Sequence, residues 1–134
     1  MLTTLAAPAF ADIWRIEDGD ITVKAGETKG TNKVSQGTTI DKVDTNTIIT
    51  GTSDTNTVTI DTSKGNVDVT FDDLNIDASS RNEAAMSVTG SGNTTIKLDG
   101  DNHLTGGNGR SGIDSIGNLT IYGGENDSLT AKGG

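Results

Sequence analysis

The 134-residue chain contains no cysteine and only four large aromatic rings. Without cysteine it has neither disulfide bridges nor a cysteine-ligated zinc site. Its single histidine, His103, excludes a metal site built from several histidines. A compact globule of this length normally buries several large rings, whereas a layered β core of Ile, Val and Leu does not need them. The scarcity of rings therefore favours a flat, layered core.

Clustered positive charge is also missing, because 19 acidic residues outnumber 10 basic ones and the net charge is -9. The basic residues are dispersed, so neither a nucleic-acid backbone nor an anionic membrane surface is an expected partner. No apolar stretch is long enough to predict membrane insertion as a helix. Low hydrophobicity with high net charge is also typical of disorder. We favour a folded chain, because the apolar residues alternate with polar ones in short runs.

Residues 1–11 are predicted to be the remnant of a signal peptide. Ala9, Phe10 and Ala11 have the small-x-small form that signal peptidase cuts, so Asp12 would begin the mature chain. The charged start and most of the apolar stretch of a complete signal peptide are missing, and an ordinary flexible N-terminus is the alternative. The interpretation places a repeat domain over residues 12–134 in a secreted or cell-surface protein.

Three segments repeat along the chain: Asn66–Ile76, Asn93–Leu104 and Asn118–Leu129. Each alternates apolar and polar residues with a period of two, which is the strand pattern, and each is followed by a turn rich in Gly, Asn or Asp. Several short strands in a repeat of about 25 residues predict an all-β fold, a right-handed parallel β-helix (β-solenoid) of about five coils. A β-sandwich is the competing fold, since it also has regularly spaced short strands.

Stacking of the repeats predicts two interior columns. One stacks Ile96 and Leu98 on Val69 and Phe71 and continues through Leu119 and Ile121; the other contains Leu74, Ile76, Leu104 and Leu129. One coil buries too few apolar side chains to offset the ordering entropy of its residues, so the coils must stack. The side chains predicted to point outward are Asp68, Thr70, Thr95, Lys97, Thr120 and Tyr122.

The two ends of the chain fit the repeat less well. Residues 13–50 contain short strands between Gly- and Thr-rich turns, with Trp14 and Ile16 expected to start or cap the first coil. Thr130–Gly134 resembles a turn cut short. We therefore expect a C-terminally truncated solenoid whose natural protein continues beyond Gly134.

Asparagines recur at matching positions of the repeats. Asn66, Asn93 and Asn118 open the three segments, and a second set, Asn75, Asn102 and Asn126, also aligns. Stacked asparagines form amide ladders that hydrogen-bond from one coil to the next. Both sets are therefore predicted to have a structural role.

Acidic residues follow the middle strand of successive repeats at Asp72 and Asp73 and at Asp99 and Asp101. Stacking would bring these turns to about the 4.8 Å spacing of neighbouring strands. Carboxylates so close repel unless a cation lies between them, and Ca²⁺ prefers oxygen ligands of this kind. The four residues are candidate Ca²⁺ ligands, with plain turn formation as the alternative.

The segments Val67–Ile76, Ala84–Thr89 and Ile96–Leu104 carry a family resemblance. They resemble repeats of bacterial secreted or cell-surface right-handed β-helix proteins, clostridial and gut-bacterial, that are labelled carbohydrate-binding domain-containing. The resemblance extends over roughly residues 13–134. It implies a right-handed β-helix and, from some members, binding of plant polysaccharide and Ca²⁺.

These observations predict a non-catalytic, adhesin-like module outside the cell, with a polysaccharide or a host or cell-wall glycan as its partner. Two alternatives stay open. One is a fragment of a polysaccharide lyase or hydrolase, for which Lys97 or Arg110 would be the basic residue opposite clustered acids. The other is a structural stalk that spaces further domains from the cell wall.

Overall fold

The computed structural model describes residues 11–134 and is built almost entirely of strands. A short 3-10 helix, Ile16–Asp18, follows the first strand. The predicted signal-peptide remnant lies outside the described residues, apart from Ala11. The strands are β1 Ala11–Arg15, β2 Ile21–Ala25, β3 Asn32–Gln36, β4 Thr39–Asp44, β5 Asn46–Ser53, β6 Val58–Asp61, β7 Val67–Asp77, β8 Met86–Thr89, β9 Thr94–Asp99, β10 Asp101–Thr105, β11 Ile113–Ser115, β12 Leu119–Tyr122 and β13 Ser128–Lys132.

The strands form two sheets, and the chain alternates between them. In the first sheet β1, β5 and β7 are parallel neighbours; β9 and β10 pair with the two halves of β7, and β12 and β13 pair with β9 and β10. In the second sheet β2, β6, β8 and β11 are parallel neighbours. From β5 to β9 the chain crosses to the other sheet after every strand, whereas three strands lie between β1 and β5 and two lie between β8 and β11. The predicted all-β solenoid of stacked parallel coils is confirmed.

The solenoid makes about three turns, fewer than the predicted five. The uninterrupted winding begins at β5, because β3 and β4 form an antiparallel hairpin on β2 instead of a coil. Two residues, Gly37 and Thr38, join the hairpin strands, and Gly37 has a φ of +59°, where glycine is favoured. The turn between residues 36 and 39 therefore reverses the chain where a coil was expected.

The first interior column has the predicted register. Val69 pairs with Ile96, which pairs with Ile121, and Phe71 pairs with Leu98. Val69, Ile96, Phe71 and Leu98 are buried, whereas Ile121, in the last coil, is 37% exposed. The predicted outward residues alternate with this column and are exposed or half-buried.

The second column differs from the prediction by two positions in the last coil. Leu104 lies on Ile76 as expected, but its next neighbour is Ala131, and Leu129 lies on Asn102. Asn102 is fully buried, so an amide occupies a core position of this coil. The column shifts in the last coil because Ser128 comes six positions after Tyr122, while their partners Asp101 and Lys97 are only four positions apart.

Trp14 and Asp44 close the end of the solenoid at which β1 lies. The indole Nε1 of Trp14 donates a 2.9 Å hydrogen bond to Asp44 Oδ2, and both side chains are buried. The ammonium of Lys42, on the hairpin, lies 5.8 Å from the centre of the Trp14 ring. The expectation that Trp14 helps to start or cap the first coil is confirmed.

The opposite end of the stack is less covered. There β11, β12 and β13 each pair with a strand on one side, and Ile116 is 75% exposed. Among residues 11–134 no helix has the length and apolar character needed to cross a bilayer.

Candidate functional site

The outer face of the first sheet carries a central row of register partners across five strands. Ile13 on β1 pairs with Ile48, Ile48 with Thr70, Thr70 with Lys97, and Lys97 with Tyr122 on β12. Neighbouring strands lie about 4.8 Å apart, so the row follows the solenoid axis. It ends on a ring that is 53% exposed. The row therefore presents an apolar end, a hydroxyl, an ammonium and an aromatic ring in a line.

Polar rows flank the central row on both sides. On one side Asp68 pairs with Thr95 and Thr95 with Thr120; on the other lie Arg15, Thr50, Asp72 and Asp99. Lys97 forms no ion pair within residues 11–134. Its ammonium therefore remains available to an external acceptor.

A groove runs beside these rows, with the loop of residues 26–31 as its wall. The section of the groove next to this loop has a volume of about 830 Å³, and Asp68, Thr95 and Thr120 are among the residues that line it. A second section of about 510 Å³ reaches Lys97 and Tyr122. Both are lined by Gly30, Asp68 and Thr95, so together they form one continuous groove.

Asn32 holds the loop against the first sheet. Its buried amide Nδ2 donates to the backbone oxygen of Asp68 at 2.8 Å and to Thr47 Oγ1 at 3.0 Å. Within the loop, Thr31 Oγ1 donates to the Thr28 oxygen at 2.6 Å, and the backbone N–H of Thr31 donates to the same oxygen at 3.0 Å. The wall is therefore formed before any ligand arrives.

The amide ladder predicted for Asn66, Asn93 and Asn118 is confirmed, and it lies along the same groove. Asn66 Oδ1 accepts a 2.9 Å hydrogen bond from the backbone N–H of Asn93, and Asn93 Oδ1 accepts a 3.1 Å bond from Asn118 Nδ2. The prediction of a second ladder, formed by Asn75, Asn102 and Asn126, was wrong. Asn102 lies inside the core: one extra position between Asp99 and His103 moves it out of register with Asn75, and its partner in the next coil is Leu129 instead of Asn126.

The four candidate Ca²⁺ ligands separate into two pairs. Asp72 and Asp99 are register partners on the outer face. Partial burial and the neighbouring carboxylates of Asp99 and Asp73 raise the pKa of Asp72. Asp73 and Asp101 instead lie in the turns, where Asp73 Oδ1 accepts a 3.0 Å hydrogen bond from the backbone N–H of Asp101.

The turn carboxylates also bind the last coil. Asp101 Oδ1 accepts a 2.8 Å hydrogen bond from Ser128 Oγ, and Asp127 accepts from the backbone N–H groups of Gly100 and Gly124. These two bonds lower the pKa of Asp127. Within residues 11–134 no group of three or more His, Cys, Asp or Glu side chains has an arrangement that could hold a metal ion. The Ca²⁺ assignment stays a prediction, and the pair it best fits is Asp72 with Asp99.

Sequence reasoning found the outward rows but missed the groove. The wall is the loop between the antiparallel strands β2 and β3, a connection that the repeat does not contain, and Asn32 gave no repeat signal. Comparison with known proteins gives no match: no family model, no curated protein and no solved structure matches this chain. Fold and groove together define the chain as a β-solenoid with a polar groove along its axis.

Proposed function

We propose that the protein is a non-catalytic, adhesin-like module, exported to the cell surface or medium, that binds an extended polysaccharide in the groove. The observation that carries the proposal is the alignment of the groove, the asparagine ladder and the outward rows along one direction. A polymer with a polar repeating unit meets a similar set of groups at every coil in that direction.

The spacing of the groups suits a sugar chain. Parallel strands repeat at about 4.8 Å, which is close to the length of one pyranose unit in an extended glycan. Hydroxyls donate and accept hydrogen bonds, and the groove offers partners of both kinds in Thr95, Thr120, Asp68 and the ladder amides. The Nδ2 groups of Asn66 and Asn93 donate no hydrogen bond within the described residues, so they are available to sugar hydroxyls.

Charge favours an uncharged glycan. Three carboxylates, on Asp68, Asp72 and Asp99, share this face with the cations Lys97 and Arg15, and the whole chain carries a net charge of -9. A polyanion would meet these carboxylates and the overall negative field. Tyr122 supplies an exposed ring on which the apolar face of a pyranose can stack.

Export is supported by sequence alone, through the small-x-small segment that ends at Ala11. The absence of cysteine is compatible with an extracellular location, where disulfides are common but optional.

Binding is tested on an array of neutral, acidic and basic glycans. We expect hits among neutral polysaccharides, and a Tyr122→Ala variant should lose about 2- to 10-fold in affinity for them. The matched control is Ile116→Ala, which also removes an exposed apolar side chain near the end of the stack but lies outside the groove. An array without hits above background would refute the carbohydrate proposal.

Orientation is tested with oligosaccharides of increasing length. If the chain lies along the axis, affinity should rise with each added unit until about five units span the five strands of the central row, and then level off. Affinity already complete with a disaccharide would mean a single local subsite instead.

The enzyme alternative has one structural observation in its favour, the Asp72–Asp99 pair next to Lys97. Incubation with pectins and neutral glycans, followed by measurement of unsaturated products by ultraviolet absorbance and of new reducing ends, separates the two functions. We expect no product. Activity that disappears in an Asp99→Ala variant would establish catalysis and overturn our proposal.

A further inference from the structure

Asp44 is an almost buried carboxylate at the start of the first coil, with a relative exposure of 2%. Its Oδ2 accepts the 2.9 Å hydrogen bond from the Trp14 indole. Its Oδ1 accepts two backbone bonds, from Asn46 N at 3.1 Å and from Asp12 N at 3.3 Å. Among residues 11–134 the donors to Asp44 are all neutral N–H groups and Asp44 forms no ion pair, so the buried carboxylate lacks a compensating positive charge there.

The sequence places a processing signal directly before one of these donors. Ala9, Phe10 and Ala11 have the form cut by signal peptidase, and Asp12 follows. The nitrogen that lies 3.3 Å from Asp44 is therefore the nitrogen that becomes the new N-terminus after such a cut.

We propose that cleavage between Ala11 and Asp12 creates an α-ammonium group that forms an ion pair with Asp44 and thereby completes the first coil. The peptidase adds one water molecule across the Ala11–Asp12 peptide bond, leaving a carboxylate on Ala11 and an ammonium on Asp12. The leaving segment is residues 1–11. No other bond changes.

The cut preserves the surrounding structure. It removes one register pair, Ala11 with Asn46, and leaves Asp12 to Arg15 paired with Thr47 to Thr50. All buried apolar side chains lie between Trp14 and Leu104, so a chain that begins at Asp12 keeps the whole described core.

The charges around the new terminus are compatible with a second ion pair there. The Asp12 carboxylate is already paired with Lys42 Nζ at 3.1 Å, and Lys42 also faces the Trp14 ring. Arg15, on the same strand, pairs with Glu17 at 3.7 Å. The α-ammonium would therefore find Asp44 as its own partner, and the cluster of Asp12, Lys42, Asp44 and the terminus becomes neutral. A charge-assisted bond is stronger than the neutral amide bond it replaces.

The inference rests on the export that we propose above, and not on glycan binding. Processing is tested by adding a complete signal-peptide start before Met1, expressing the full chain in a bacterium and determining the N-terminal residue of the secreted product by intact mass. We expect Asp12. A secreted product that begins at any other residue overturns the processing step, whatever the result on the glycan array.

Ion pairing is tested with two chains that differ by one residue. Both are released from a fusion partner by a protease that leaves no extra residue; one begins at Asp12 and the other at Ala11, so that only the first has its ammonium at Asp44. At pH 6 the chain that begins at Asp12 should unfold at a temperature several degrees higher. In an Asp44→Asn background the difference between the two chains should vanish. Equal unfolding temperatures at pH 6 overturn the ion pair.

The pH dependence has a definite sign. An α-amino group ordinarily has a pKa of about 7.7–8.0, and an adjacent carboxylate raises it in the folded state. The stabilisation should be complete below that ordinary value and disappear as the pH rises through the folded value. If the Asp44→Asn chains do not fold, NMR titration of the isotopically labelled α-amino group still decides the matter, since an ordinary pKa overturns the proposal and a raised one supports it.

Discussion

The side-chain oxygen of Asn102 lies 2.8 Å from the backbone nitrogen of Leu74, one coil away, in the interior of the solenoid. The amide Nδ2 of Asn102 donates to the backbone oxygens of Asp99, Gly100 and Ser128 at 3.2 to 3.4 Å. One buried side chain thus satisfies backbone groups of three successive coils, at the point where the extra residue interrupts the strand pairing.

We expect Asn102→Leu to destabilise the protein, although leucine would fit the apolar pattern better. The N–H of Leu74 would remain buried without an acceptor, at a cost of about 1–3 kcal/mol in the free energy of unfolding. Urea denaturation measures this loss. The control is Asn75→Leu on the exposed face, which should change the free energy of unfolding by less than about 0.5 kcal/mol. A leucine at 102 that stabilises the fold would contradict the assigned role.

Arg81 connects the turns of three coils. Its Nη1 donates to Asp20 Oδ1 at 2.9 Å and to the Thr55 oxygen at 2.7 Å, and its Nη2 donates to Glu83 Oε2 at 2.6 Å. Because lysine cannot reproduce this fork, both Arg81→Lys and Arg81→Gln should lower the free energy of unfolding, Gln by about 1 kcal/mol because the carboxylate partners are half exposed. Arg110→Gln, at an exposed arginine that forms no ion pair within the described chain, is the matched control. Equal effects of the two Gln variants would show that the fork contributes nothing.

The Asp72–Asp99 pair predicts a pH-dependent penalty. The pKa of Asp72 is raised by burial and by the charges of Asp99 and Asp73, so the ionised form opposes folding at neutral pH. The penalty should disappear as the pH falls through the raised value toward the ordinary value of about 3.9. Asp72→Asn should therefore raise the unfolding temperature at pH 7 and have little effect near pH 3.

Asp77 provides a control of opposite sign. Hydrogen bonds from Ser79 lower the pKa of Asp77, so Asp77→Asn should lower the unfolding temperature at pH 7.

If Ca²⁺ binds between Asp72 and Asp99, added Ca²⁺ should raise the unfolding temperature of the natural chain but not of Asp72→Asn. Identical pH profiles for the natural chain and Asp72→Asn would exclude the repulsion that we infer.

Close packing between coils favours glycine at position 90. It has a φ of +88°, and a Cβ added there would lie 2.5 Å from the backbone nitrogen of Ser63 in the preceding coil. Gly90→Ala should therefore cost about 2 kcal/mol or more, from backbone strain and from the clash. Gly109→Ala separates these causes, since Gly109 has a φ of +70° with no atom within 4 Å of the added Cβ. If Gly90→Ala lost no more stability than Gly109→Ala, the neighbouring coils would have to relax and accommodate the added methyl group at little cost.

Much of the fold was predictable because a solenoid repeats one sequence pattern in successive coils. Val69, Ile96 and Ile121 recur at nearly constant spacing with alternating neighbours, and that is enough to place them on one another. The second column was predictable only as far as Leu104. A bulge places Asp73, at φ +48°, opposite no residue of β5, and the next coil has one further residue near Gly100, at φ +73°. A fixed repeat length cannot reveal a local insertion.

The groove was less predictable for a different reason. Its floor follows from alternation, which gave Lys97 and Tyr122 their outward positions. Its wall depends on the antiparallel β2–β3 connection, which departs from the repeat, and on the tertiary contact of Asn32 with Asp68. A single tertiary contact of this kind leaves no periodic pattern in the sequence from which it could be predicted.

The hairpin β3–β4 also makes the two edges of the second sheet different. Strand β3 runs opposite to β2 and occupies the edge on which a parallel coil would otherwise pair, whereas β11 at the far side of the same sheet has no such neighbour among residues 11–134. In a protein made of residues 11–134 alone, local opening should therefore begin at β11–β13 and move toward β7, and amide hydrogen exchange should slow in that order. Loss of coils would then proceed from one side only.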